Sequence, residues 1–197
     1  MKKAFLIACL GVLLFAKLNA SCLGLYLRGM GGVNFLEIPR NGNERFQTKR
    51  GCVWGGSLGL KLIELIRVEG EFAYRQNPLH QLVIGKSVKI PLSGTVYQLT
   101  GFGNLFLDIP LNRIIYPYIG GGIGYRYSRY TTKIEGSYQS LNRKISEIES
   151  PVYQGIVGLN FYFYSMVDIR VDYRCLGRWD SGALRNHAMA VTMGLSF

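Results

Sequence analysis

The fold is decided by the stretch Val167-Asp168-Ile169-Arg170-Val171-Asp172-Tyr173-Arg174. Four apolar residues alternate strictly with four charged ones. Successive side chains on a strand point to opposite sides, so this alternation reads as a strand with one oily face and one charged face. Hydrocarbon suits the first face, and the second needs partners of opposite sign.

The same rhythm recurs in both directions. His187, Met189, Val191, Met193, Leu195 and Phe197 alternate with Ala188, Ala190, Thr192, Gly194 and Ser196. Val68, Phe72 and Tyr74 alternate with Glu69, Glu71 and Arg75, and Leu23, Leu25 and Leu27 alternate with Gly24, Tyr26 and Arg28. Eight strands are expected, at 22–36, 51–61, 66–75, 94–108, 115–129, 152–163, 166–176 and 186–197. The connections between them alternate in length. Residues 37–50, 76–93, 130–151 and 177–185 are long and polar, whereas 62–65, 109–114 and 164–165 are short. An even number of antiparallel strands with all long loops at one end is the layout of a transmembrane barrel. Closure is required, because an open sheet edge in lipid leaves backbone groups unpaired.

Composition agrees. The 197 residues are 48% hydrophobic, 18% charged and 13% aromatic, with a mean hydropathy of +0.13. That excludes a disordered chain. No run of 18 apolar residues occurs, so a helical membrane span is excluded too. Residues 1–20 read as a secretory leader: Met1-Lys2-Lys3, then apolar Ala4 to Ala16, then the small-residue site Leu18-Asn19-Ala20. A lipoprotein signal ending at Cys22 is the alternative, although Asn19 stands where it wants an aliphatic residue. Residues 21–197 are the expected barrel domain. Without Lys2, Lys3 and Lys17 it carries 20 basic and 12 acidic residues, a net +8.

Chemistry assigns the faces. Arg28, Arg67, Glu69, Glu71, Arg126, Asp168, Arg170, Asp172 and Arg174 are expected to point inward, because charge on the lipid side is costly. An eight-stranded barrel has room inside for its own side chains and little more. Five arginines and four acids there are expected to pair with one another rather than line a channel; a narrow pore is the alternative. Tyrosine and tryptophan, including Trp54 and Trp179, are expected in interface girdles.

The chain resembles the small outer-membrane barrels of the opacity-protein and outer-membrane-protein-A type, a superfamily of porin-like surface antigens. The carrying features are Pro117-Tyr118-Ile119-Gly120-Gly121-Gly122-Ile123-Gly124-Tyr125, the segment 167–174, and Val191-Thr192-Met193-Gly194-Leu195-Ser196-Phe197. The resemblance covers the whole mature chain. It implies an all-β, eight-stranded antiparallel up-and-down barrel in the outer membrane of a Gram-negative-type envelope. It implies a monomer handled by the barrel-assembly machinery through the strand ending in Phe197. The role it implies is structural or adhesive.

No catalytic, cofactor or metal residue is assigned. An outer-membrane lipid-modifying enzyme of the lipid-A deacylase type is the other alternative; it would pair a lipid-facing histidine with a serine two residues along, the nucleophile and base lying within hydrogen-bond reach. His187 has Arg185 and Met189 at those places, Ser181 is near it only across a loop, and His80 falls in the expected loop 76–93. Asp168 and Asp172 lie about 13 Å apart along one strand face, too far to share a water. The cysteines have no metal-ligand spacing. Cys52 and Cys175 both face lipid about 14 Å apart and are not expected to bond. Cys22 makes the count odd, so one thiol stays open to an intermolecular bond. The glycine clusters lack the Lys-Ser/Thr of a phosphate loop.

Charge is the informative signal. Segments 37–50, 75–93, 129–149 and 177–185 sum to +2, +3, +1 and +1, or +7 of the mature +8. Positive loops attract anions. The expected partners are outer-membrane lipid, including lipopolysaccharide phosphates, or a sulfated host ligand. Nucleic acid is not expected at that location.

Overall fold

A computed structural model describes residues 24–37, 44–84, 88–112, 114–134, 146–163, 167–179 and 185–197. The expected leader, Cys22, Lys86 and Ser181 lie outside these residues. Nine strands follow in order: β1 Gly24–Glu37, β2 Glu44–Thr48, β3 Gly51–Lys61, β4 Ile66–Ile84, β5 Val88–Asp108, β6 Ile115–Ile134, β7 Ser146–Tyr162, β8 Val167–Arg178 and β9 Arg185–Ser196. Every neighbour is antiparallel. β1 pairs with β3 on one side and β9 on the other, and the β4–β5 pairing completes the circuit. β2 and β3 share one edge of β4, interrupted only at Lys49-Arg50. Nine segments therefore make eight walls, the expected closed barrel.

The register fixes the tilt. From Met30 the ladder runs through Gly55, Ala73, Thr100 and Arg126 to Ser150 on β7. The other way it runs through Thr192 and Arg170 to Asn160, also on β7 and ten residues further along. Such a stagger in eight strands tilts them by roughly 40°.

The strands outrun the expected boundaries. β4, β5 and β6 have 19, 21 and 20 residues, whereas β8 and β9 have 12 each. A tilted crossing of hydrocarbon takes about 9–11 residues, so one side of the wall stands well above the other. Within the expected loops at 76–93 and 130–151, residues 76–84, 88–93, 130–134 and 146–151 are strand. His80 is thus on β4 rather than in a loop, at a register irregularity between Leu79 and Gln81. Pro78 beside it hides the continuing ladder from a sequence reading, because proline marks strand ends and bulges. The short connections that follow β3, β5 and β7 share one end with Gly24 and Phe197; here it is called the turn end, and the opposite one the loop end.

Alternation sets burial. On β9, Val191, Met193 and Leu195 are 50–58% exposed while Ala190 and Thr192 are 2% and 3%. The glycine-rich strand has a packing reason. Gly120, Gly122 and Gly124 face the lumen opposite Phe106, Asn104 and Phe102 of β5. A Cβ at any of the three would collide with those side chains or with the β5 backbone. Absent side chains on one wall make room for large ones on the next.

Candidate functional site

Two regions concentrate chemistry: the lumen and the outward rim at the loop end. In the lumen, all nine charges expected inside are buried, joined by Arg75 and Asp108. At the turn end, Glu69 Oε1 accepts from Tyr26 Oη at 2.7 Å, Arg170 Nη1 at 2.8 Å, Arg67 Nη1 at 3.0 Å and Arg28 Nη1 at 3.2 Å. Arg28 and Arg67 each fork onto a second acid, Asp168 and Asp108. Arg67 and Arg170 also lie against the rings of Phe106 and Tyr118, 4.9–5.8 Å from their centroids. Cations over ring faces gain further attraction when shielded from water.

Midway along the barrel, Arg174 forks onto Asp172 and donates to Glu71 Oε2 at 2.7 Å. Asn104 and Tyr118 donate to Glu71 and Asp172. Two apolar clusters are also buried: Met30 with Val53, Ala73, Ala188 and Ala190, and Phe102 with Val152 and Leu176. Nearest the loop end, Leu36, Leu79 and Val96 pack together against Tyr130. Ion pairs fill the lumen as expected, with one departure. Among the described residues Arg126 forms no ion pair; its Nη2 donates to Ser150 Oγ at 3.4 Å.

Two lumenal charges were misplaced or missed in the sequence. Arg75 belongs to the inward face shared with Glu69 and Glu71, yet it falls in the +3 counted for loop 75–93. Asp108, the last residue of β5, is hidden by the strand end. Two tyrosines also leave the expected girdles: Tyr26 and Tyr118 are 2% exposed and serve the lumen.

The rim differs. Trp54 packs against Tyr74 with tilted rings 5.3 Å apart, Tyr74 approaches Tyr97 at 6.2 Å, and Tyr153 meets Trp179 edge-on at 5.4 Å. Lys49, Arg50, Arg129 and Arg185 are exposed there, alongside Glu37, Glu147 and Glu149. Arg50 lies over Phe35 at 5.9 Å, and Arg129 stands 4.0 Å from Glu147. A groove of about 370 Å³ runs between Tyr74, Tyr97, Leu99, Tyr127 and Arg129. His187 faces outward and its Nδ1 is bonded to Tyr173 Oη at 2.6 Å, the two rings stacking at 6.0 Å. Cys52 and Cys175 are free thiols.

The fold is that of a small transmembrane barrel. No family model and no curated protein matches the sequence. Solved structures do. Neisserial surface protein A is 13% identical, with 90% of this chain and 98% of that one covered at a TM-score of 0.56. The outer membrane protein OprG from Pseudomonas aeruginosa is 13% identical, with coverage of 88% and 95% and a TM-score of 0.58. Ail, the attachment invasion locus protein of Yersinia pestis, solved with the heparin analogue sucrose octasulfate, is 13% identical, with coverage of 89% and 98% and a TM-score of 0.52. At such identity the likeness establishes the architecture.

Proposed function

We propose that this chain is an outer-membrane surface protein that works through its rim rather than its bore. The observation that carries the reading is the contrast between a lumen whose buried charges are mostly ion-paired and a rim carrying exposed cations among aromatic rings. The long walls and the basic loops then project from the cell, while the turn end with Phe197 faces the periplasm, where the assembly machinery engages it.

The partner favoured by the rim is anionic. Lys49, Arg50, Arg129 and Arg185 offer charge where outer-leaflet phosphates lie, and the tyrosine groove beside Arg129 offers an apolar slot for an acyl chain. Aromatic residues at both membrane interfaces are the usual anchors of such barrels. A sulfated glycan is the second reading, favoured by the sulfated sugar bound to Ail. No catalytic step is proposed: His187 is held by Tyr173, with no serine at the neighbouring outward positions of its strand.

Binding to the protein in lipid nanodiscs tests this reading. Lipid A and sucrose octasulfate are titrated against the native protein and the Arg50→Glu/Arg129→Glu/Arg185→Glu variant. The expected result is saturable binding that weakens with salt and falls at least tenfold in the variant. Equal binding by both proteins refutes the rim as the site.

A further inference from the structure

The loop half of the lumen holds two guanidinium groups that have no carboxylate within ion-pair distance among the described residues. Arg75 and Arg126 are each 1% exposed. Arg75 Nη1 donates to Thr100 Oγ1 at 2.5 Å, and Arg126 Nη2 reaches Ser150 Oγ at 3.4 Å. Arg75 Nε, Arg126 Nε and Nη1, Gln98 Nε2 and Ser128 Oγ are buried with no partner.

The ladder gathers these groups. Arg75 faces Gln98, which faces Ser128; Thr100, which holds the head of Arg75, faces Arg126. Along β5 the level is bounded by Val96 on the loop side and Phe102 on the turn side, both buried. Four of the five unmet atoms can only donate. Asn34 Oδ1 is an unmet acceptor of the lumen, but it is neutral. Glu71 sits four residues along β4 from Arg75; its Oε2 is engaged by Arg174 and Asn104, and its Oε1 is buried without a hydrogen-bond partner, so one of its oxygens is an unmet charged acceptor. Six arginines face five acids among the described buried residues, so one positive charge has no counterpart. A guanidinium cannot shed its proton to escape burial, and an uncompensated buried charge is costly.

We propose that this level of the lumen binds one small inorganic anion of chloride's size, held between Arg75 and Arg126, with Gln98 and Ser128 as further donors. The anion completes the charge balance of the plug. The bound state is tighter than the empty one, so the barrel becomes more stable as the anion concentration rises.

Two measurements on the full-length protein, refolded in detergent, decide it. The first is the thermal midpoint of the barrel in sodium chloride, and in sodium gluconate at matched ionic strength. The midpoint is expected to climb by about 5 °C or more once chloride exceeds its dissociation constant a hundredfold, and to stay flat in gluconate. Arg126→Met and Arg75→Met each remove one buried charge at similar volume. Each variant should match or exceed the native midpoint in gluconate and gain nothing from chloride. The second is anomalous diffraction from crystals grown in sodium bromide, with a bromide peak expected between the two guanidinium groups. A native midpoint indifferent to chloride, variants that still respond to it, or bromide found only elsewhere would each overturn the proposal.

Discussion

Arg28 Nη2 donates to Asp168 Oδ2 across 2.6 Å, joining β1 to β8 although the residues are 140 positions apart. Both side chains are at most 2% exposed. The bond spans β9, the strand that seals the barrel, because Gly194 stands between them in the ladder. A Cβ at Gly194 would fall on Asp168 and crowd Arg28. Closure of the wall and filling of the bore are here one event.

Breaking that pair is expected to be severe and removing it mild. Asp168→Asn leaves Arg28 with Glu69 alone and should cost about 3–5 kcal/mol in urea unfolding from lipid vesicles. The double variant Arg28→Met/Asp168→Leu should recover most of that loss. If Asp168→Asn unfolds at the native urea concentration, the ion pair contributes little to the plug.

Glycine substitutions on β6 should divide by face. Gly124→Ala puts a methyl group against the Gly101 carbonyl oxygen and the Phe102 ring, which should cost about 1–3 kcal/mol. Gly121→Ala points outward with ordinary contacts and should change stability by about 0.5 kcal/mol or less. Equal effects at both positions would contradict the assigned faces.

The outward face should refuse charge. Val191→Arg on β9 is predicted to cost about 2–4 kcal/mol if the residue lies near the bilayer midplane. Arg185→Ala, at the loop-end limit of the same strand, should cost about 0.5 kcal/mol or less, as for an exposed position outside the hydrocarbon. The comparison is read as folding yield and unfolding midpoint in vesicles. A tolerated Val191→Arg would move that face out of lipid.

The filled bore should not conduct. In planar bilayers the native protein is expected to give no steady ohmic steps. Regular unitary conductance would favour the pore reading and would mean the network around Glu69 opens.

Legibility in the sequence followed the strength of the alternation. β8 carries charges at every second residue, so its partition into faces was readable from a single segment, and all nine charges placed inward are buried. β4 and β5 read shorter in the sequence than they are, because Pro78, His80 and Pro91 look like loop residues and only the ladder shows that pairing continues past them. Arg75 suffered from that truncation: its parity said lumen, its position said loop. The unpaired state of Arg126 could not be read at all. Whether a buried cation finds an acid depends on which walls meet across the bore, and that is set by the ten-residue stagger rather than by any local pattern. The rim was anticipated as basic, but its groove is built from three strands and has no signature along one of them.

The central claim is a closed membrane barrel with the charged faces inward. Gel mobility of membrane fractions in cold detergent, boiled against unboiled, tests it most directly. A barrel closed by the β4–β5 pairing should stay folded unboiled and change mobility on boiling. Identical mobility in both lanes, with the protein recovered in the soluble fraction, would contradict the account.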